Sequence, residues 1–327
     1  MNTDNAPFFP SEVWPDNMHS ARAFIDIVDA CNLRCPECIR GTRAMPNSND
    51  SMPFDLFQKI CAKLMSEKYN TVELFNWTEP FLHKDIAAFI AEAKQMGLRV
   101  QLSSNLSLKK IPSLIEVFAA GLDELHVSVS GFSNAVQQIY HRGSDVENIK
   151  NNLRAIVRYP EYAKKTTVKF LNFGYNAEDL KMFSVFASRY GMEFMEVAAS
   201  GNPLSATGEK KYFVTIPPKV AVNFPSAAEY IYYNADAILN SNSLVCEVGI
   251  IPTIDHTGKA YLCCDRPNAR IFCLGNYLDL SVEEMLLKLY MHPECANCSY
   301  KRTLHLSKQQ KIQMHNIFFR ETARRYV

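Results

Sequence analysis

From Phe24 to about Glu196 the hydrophobic pattern switches repeatedly between a period of two and a period of about 3.6, and few architectures accommodate that alternation. Short β-branched or aromatic runs at 24–29, 71–76, 98–104, 124–130, 166–172 and 192–198 read as strands. Amphipathic stretches at 55–68, 84–96, 109–119, 146–158 and 177–190 read as the helices between them. Successive βα units of this kind build a parallel sheet covered by helices. The expectation is an α/β fold with six strands in an open or partial barrel, because the pattern breaks after about residue 200.

The rest of the chain divides by composition. Residues 1–20 read as an N-terminal extension, 21–200 as the barrel core, and 201–240 as a connector with one short helix near 226–239. Residues 241–300 are rich in Cys and turn formers and read as a metal-stabilised subdomain. The tail, 301–327, is helical in pattern and basic, which a solvated helix face explains; attraction of an anionic partner is the sharper alternative.

A formal net charge of +1 and 21% charged residues lack the basic excess of a nucleic-acid binder. No apolar run reaches the length of a membrane span, and the first 20 residues lack the basic start and apolar stretch of a signal peptide. The expected location is therefore the cytoplasm, with no membrane and no nucleic acid as partner.

Ten cysteines are many for 327 residues. Disulfides do not persist in a reducing compartment, so clustered cysteines point to metal. All but Cys61, which reads as a small buried hydrophobe, fall into two groups. Cys31, Cys35 and Cys38 form CxxxCxxC directly after the first strand. Three thiolates on one loop suit three irons of a cubane, and no fourth Cys lies near to close it as in an electron-transfer cluster. One iron is left open, as a reaction centre requires. Zinc is the alternative, although the usual CxxC pairs are missing here.

The loop resembles the signature of the radical S-adenosylmethionine (SAM) superfamily, and the resemblance extends over about 24–300. It implies a TIM-like partial (β/α)6 barrel in which SAM chelates the open iron of a 4Fe–4S cluster. An electron from a donor such as flavodoxin or ferredoxin then cleaves SAM to a 5′-deoxyadenosyl radical, which takes hydrogen from a substrate. Asn76, Trp77, Thr78, Glu79 and Pro80 stand where the family carries GGEP, with both glycines replaced, and imply contacts to the SAM ammonium. Ser103, Ser104 and Asn105 match a Ser/Thr-Asn segment near the SAM carboxylate and ribose. Ser128, Ser130 and Arg142 (within YHRGSDVENI) complete the implied SAM-binding set, and Glu37 replaces the family's aromatic residue near the adenine. All follow the C-terminal ends of strands, where parallel barrels build their sites.

Cys246, Gly258-x4-Cys263, a helix near 281–290, and Cys295 and Cys298 as CANC resemble the SPASM or twitch extension of this family. The resemblance implies a second, auxiliary 4Fe–4S cluster on four cysteines, with structural zinc as the alternative. No cysteine follows Cys298, which favours the short twitch form. Cys264 is an alternative ligand or a packing residue, and either Cys264 or Cys273 could serve as a hydrogen donor.

The resemblance implies an enzyme, most simply a dehydrogenase or epimerase of a polar small molecule such as a sugar or aminocyclitol. The short segment before Cys31 weighs against a fused leader-binding domain. A maturase of a ribosomal peptide and a non-catalytic zinc-binding module are the competing readings. The proton acceptor or catalytic side chain is unassigned among Arg142, Glu196, Cys264 and Cys273.

Overall fold

The computed structural model describes residues 22–36, 38, 40, 41, 47–173, 175–198, 251–261, 264, 273–281, 284 and 285. The chain forms two compact units: Arg22–Val214 with Thr253–Lys259, and Met1–Ala21 with Thr215–Pro252 and Ala260–Val327.

In the first unit the six expected strands form: β1 (Arg22–Ile25), β2 (Thr71–Glu73), β3 (Arg99–Ser104), β4 (Glu124–Val129), β5 (Thr166–Asn172) and β6 (Glu193–Ala198). Each pairs in parallel with its sequence neighbour. A seventh strand, β7 (Thr253–Ile254), pairs in parallel with the free edge of β1. Two residues are too few to carry a period, so the sequence pattern does not show it.

The helices are α1 (Phe54–Ser66), α2 (Ile86–Gln95), α3 (Glu116–Ala119), α4 (Asn134–Tyr140), α5 (Val146–Ile156), α6 (Pro160–Ala163) and α7 (Ala177–Arg189). The helix expected over 109–119 shrinks to four residues; Pro112 disfavours helical geometry at Ile111 and so keeps the stretch ahead of it out of the helix. Helix α4 escapes notice in the sequence because it has only two turns; Ser133 caps it, accepting from Val136 N at 3.4 Å.

Burial alternates along the strands as a one-sided sheet demands. On β4, Leu125, Val127 and Val129 are fully buried, while Glu124, His126 and Ser128 are half-buried on the other face. Helix α2 packs on β3, and α7 packs on β5 and β6. Their core side chains include Phe170 and Phe183, both fully buried. Each contributes about 1.5–3 kcal/mol.

The face without helices is polar. Arg22 Nη1 donates to Glu73 Oε1 at 2.9 Å, and Glu124 accepts from Arg99, Gln101 and His126 at 3.0, 2.8 and 2.6 Å. Burial pushes the Glu73 carboxyl up; Arg22, and then His126 and Lys169 from strands farther along the sheet, pull it back down. These side chains therefore converge on one polar interior.

In the second unit the described strands are β8 (Lys259–Tyr261), whose first residue closes the first unit, and β9 (Cys273–Asn276). Beyond β9, Asn276 caps a 3-10 turn, Tyr277–Asp279, with Tyr277 fully buried. Among the described residues, no helix is long and apolar enough to cross a membrane.

Candidate active site

Strand β1 delivers the cysteine loop to the C-terminal edge of the sheet. Asp29 and Arg40 stand two residues outside Cys31 and Cys38, and their side chains form an ion pair that closes the loop at its base. The Arg40 side chain is 1% exposed. Asp29 also takes Ser48 N on its carbonyl at 3.2 Å and donates its amide to Asp50 O at 2.8 Å. Asn47 exchanges two hydrogen bonds with the Cys31 backbone, at 3.2 and 2.9 Å. Arg34 N donates to Arg142 O at 2.8 Å, and Cys38 N donates to Cys35 O at 3.2 Å. Gly41 lies against the Cys35 backbone so closely that a Cβ would overlap the Cys35 carbonyl.

The thiols suit a cationic cluster. Burial, followed by the Glu79 carboxylate, pushes the Cys31 thiol up to about 12. Burial, then Cys38 and Cys31 themselves, push Cys35 well above the ordinary thiol range, while Arg142 draws it back. Buried thiols that oppose one another's ionisation give up their protons together around a metal centre. Among the described residues no His, Cys, Asp or Glu side chains form a ready shell around a single ion. A cubane instead gives each thiolate its own iron, and so asks for a wider triangle.

The loop after β2 is built on two buried carboxylates. Asp26, 1% exposed at the end of β1, accepts from Asn76 N at 2.9 Å, Trp77 N at 3.2 Å and Thr78 Oγ1 at 2.6 Å. An acceptor across the sheet thus sets the backbone path where two glycines were expected. Glu79 accepts from Phe81 N at 3.2 Å and Ser104 Oγ at 2.7 Å on one oxygen. Its other oxygen accepts from Asn105 N at 2.9 Å and Asn105 Nδ2 at 2.6 Å. Glu79 N donates to Ala30 O at 2.9 Å, and Asn105 Nδ2 reaches Asn32 Oδ1 at 2.9 Å. Glu79 therefore links β2, β3 and the cysteine loop, with both carboxylate oxygens engaged by the protein.

Burial raises the Glu79 carboxyl from 4.5 to about 7, against the pull of Ser104 and Asn105. The folded chain thus holds a proton that the unfolded chain releases. That contribution to stability is complete below pH 4.5 and is lost as pH rises through 7, a total of ~3 kcal/mol for a fully buried group. Chemical denaturation of the apo chain at pH 5 and pH 8 should show this loss, and Glu79→Gln should flatten it.

The remaining expected residues separate. Ser103 Oγ and Ser128 Oγ stand 3.4 Å apart on the polar face, both half-buried. Ser130 is fully buried and bonded to Gln137 and His141. Glu196 lies on β6, exposed, and accepts from Asn172 Nδ2 at 2.6 Å. Cys264 is half-buried and Cys273 exposed, both in the second unit. Glu37, Cys246, Cys263, Cys295 and Cys298 lie outside the described residues. Asp26, Asp29, Arg40 and Gly41 were not anticipated. The available signal was acids inside the apolar run FIDIVDAC, since buried charges require partners.

Residues 25–183 match the family profile described as the Radical SAM superfamily. That stretch is a radical SAM domain. Two curated proteins are similar. One is the tungsten-containing aldehyde ferredoxin oxidoreductase cofactor-modifying protein of Pyrococcus furiosus, 20% identical over 85% of this chain and 87% of its own. The other is 7,8-dihydro-6-hydroxymethylpterin dimethyltransferase of Methanocaldococcus jannaschii, 28% identical over 57% of this chain but only 37% of its own length.

Among solved structures, anSMEcpe with bound AdoMet superposes with a TM-score of 0.54 at 13% identity, covering 94% of this chain and 100% of that one. Streptococcus suis SuiB bound to its precursor peptide SuiA gives 0.59 at 14%, covering 85% and 66%. At such identities the likeness is one of fold. A radical SAM fold implies SAM and a 4Fe–4S cluster as cofactors. The three cysteines on one loop, with the strand-end segments around them, are the donor set suited to both.

Proposed function

We propose that this radical SAM enzyme dehydrogenates or epimerises a small polar molecule. The observation that carries this reading is the polar face of the barrel, where the half-buried hydroxyls of Ser103 and Ser128 and the half-buried Lys169 stand beside the protein-paired Glu73, Glu124 and His126 rather than in an apolar slot. Such a lining selects substrates rich in hydroxyl, amino or carboxylate groups, because each buried polar group left unpaired costs about 1–3 kcal/mol. The two curated relatives, whose names specify cofactor modification and a pterin, support a small substrate. A peptide substrate, as in the SuiB complex, rests on fold likeness alone.

Cys31, Cys35 and Cys38 hold the catalytic cluster in this reading. Bound together, the cluster and SAM supply a 5′-deoxyadenosyl radical that takes a hydrogen atom from an unactivated carbon. The chain's part is to orient. Asp26 sets the Asn76–Thr78 loop and Glu79 ties that loop to Ser104 and Asn105; Arg142 places positive charge beside Cys35. Cys246, Cys263, Cys295 and Cys298 hold a second 4Fe–4S cluster, which gives the electron of an oxidation a way out. Flavodoxin or ferredoxin is the class of reductant.

The test is an oxygen-free purification and iron–sulfide reconstitution of wild type and a Cys31→Ala/Cys35→Ala/Cys38→Ala variant. About eight irons per chain should fall to about four, and dithionite with SAM should yield 5′-deoxyadenosine only from wild type. Zinc in place of iron, or a loaded wild type that leaves SAM intact, would refute the proposal.

A further inference from the structure

Asn32–Cys35, the segment that directly follows Cys31 and ends in Cys35, is tied to the barrel by two hydrogen bonds. One is Asn105 Nδ2 to Asn32 Oδ1 at 2.9 Å. The other runs from Arg34 N, directly before Cys35, to Arg142 O at 2.8 Å. Arg142 lies in the turn that follows α4, so the second bond is as firm as that turn.

The turn is braced from beneath. Its first residue, His141, is buried among polar partners, with Nδ1 2.7 Å from Ser130 Oγ at the end of β4. Burial pushes the imidazole down to about 4, so it is neutral across the physiological range. Ser144 N donates to His141 O at 3.0 Å, and Gln137 Nε2 donates to Ser144 Oγ at 3.1 Å. Gln137 Oε1 accepts from Ser130 N at 2.8 Å. Gly143, at φ +87, turns the chain away with its α-carbon face toward Asn32 O. The turn therefore cannot shift without breaking hydrogen bonds between buried groups.

We propose that His141 is a positioning residue for the iron–sulfur site: by pinning the turn to Ser130 it holds the Arg142 carbonyl that fixes Arg34, and through Arg34 the place of Cys35. The proposal rests on the assignment of the catalytic cluster to Cys31, Cys35 and Cys38. His141 is buried and bonded to Ser130, so its effect is on how firmly the cluster is held.

The experiment follows iron release to a chelator from the reconstituted full chain, without oxygen. The catalytic phase is identified by its absence from the Cys31→Ala/Cys35→Ala/Cys38→Ala protein. His141→Leu and Ser130→Ala, which break one bond from its two sides, should accelerate that phase on the order of tenfold, the equivalent of one buried hydrogen bond. His141→Asn, whose amide can meet Ser130, should stay within about twofold of wild type. Asn176→Ala is the control: Asn176 Nδ2 donates to Ser130 O at 2.8 Å but does not touch the turn. It should lower the unfolding temperature of the apo chain and leave iron release unchanged. Release from His141→Leu at the wild-type rate, or equal acceleration by Asn176→Ala, would overturn the positioning role alone. If wild type shows no such phase, the cluster assignment falls, and the inference with it.

Discussion

Gly41→Ala is expected to abolish the catalytic cluster while leaving the barrel folded. The added Cβ would overlap the Cys35 carbonyl oxygen and stand 2.7 Å from its carbon. Both are backbone atoms, so no rotamer change relieves the clash, and either Gly41 or Cys35 must move. Movement at Cys35 misplaces one thiol of three, and a cubane held by two thiolates is lost. Reconstituted Gly41→Ala should therefore carry about four fewer irons per chain than wild type and release no 5′-deoxyadenosine. Its apo unfolding temperature should change little, because the strain lies in a loop outside the packed sheet. Wild-type iron content in this variant would mean that the Cys35–Gly41 contact relaxes freely and does not set the site.

Glu79→Ala should be the most damaging single substitution to the fold around the site. Truncation strands the donors at Phe81 N, Ser104 Oγ and Asn105, all buried, at about 1–3 kcal/mol each. The relief of removing a buried carboxylate offsets part of this, leaving a loss of ~3 kcal/mol near neutral pH. Urea unfolding of the apo chain at pH 6 and 8 measures it. Because Glu79 carries a proton below about 7, Glu79→Gln reproduces the protonated form and should be much milder at pH 6. The two variants behaving alike at both values would show that Glu79 acts by volume rather than by hydrogen bonding. Loss of the Asn105 link to Asn32 should also loosen the cysteine loop, so Glu79→Ala should retain less iron.

The proposed cluster loop was legible in the chain itself. Three cysteines spaced within one loop after a strand need no tertiary information to suggest a cluster with an open position, because the ligands share a local segment. The six parallel strands were equally legible, since a one-sided sheet writes its period of two into each strand. That Asn76–Glu79, Ser103–Asn105 and Ser128 share one edge was legible because parallel strands all deliver their C-terminal ends to one side of the sheet. Ser130 shows the limit of that rule: it lies at the same edge yet points into the protein, toward Gln137 and His141.

What only the tertiary structure decided is how those pieces are held. Asp26 meets its donors about 50 residues away in the loop after a neighbouring strand, and Glu79 meets Ser104 and Asn105 at the end of the next. Nothing local distinguishes Gly41 from any loop glycine until the fold lays it on Cys35. Strand β7 reaches β1 from more than 200 residues away in the chain, as two residues without a pattern of their own. Covalent spacing and periodicity are properties of neighbours along the chain, and the sequence states them directly. Hydrogen bonds between buried groups depend on which strands lie side by side, and that is settled only when the sheet closes and excludes water from them.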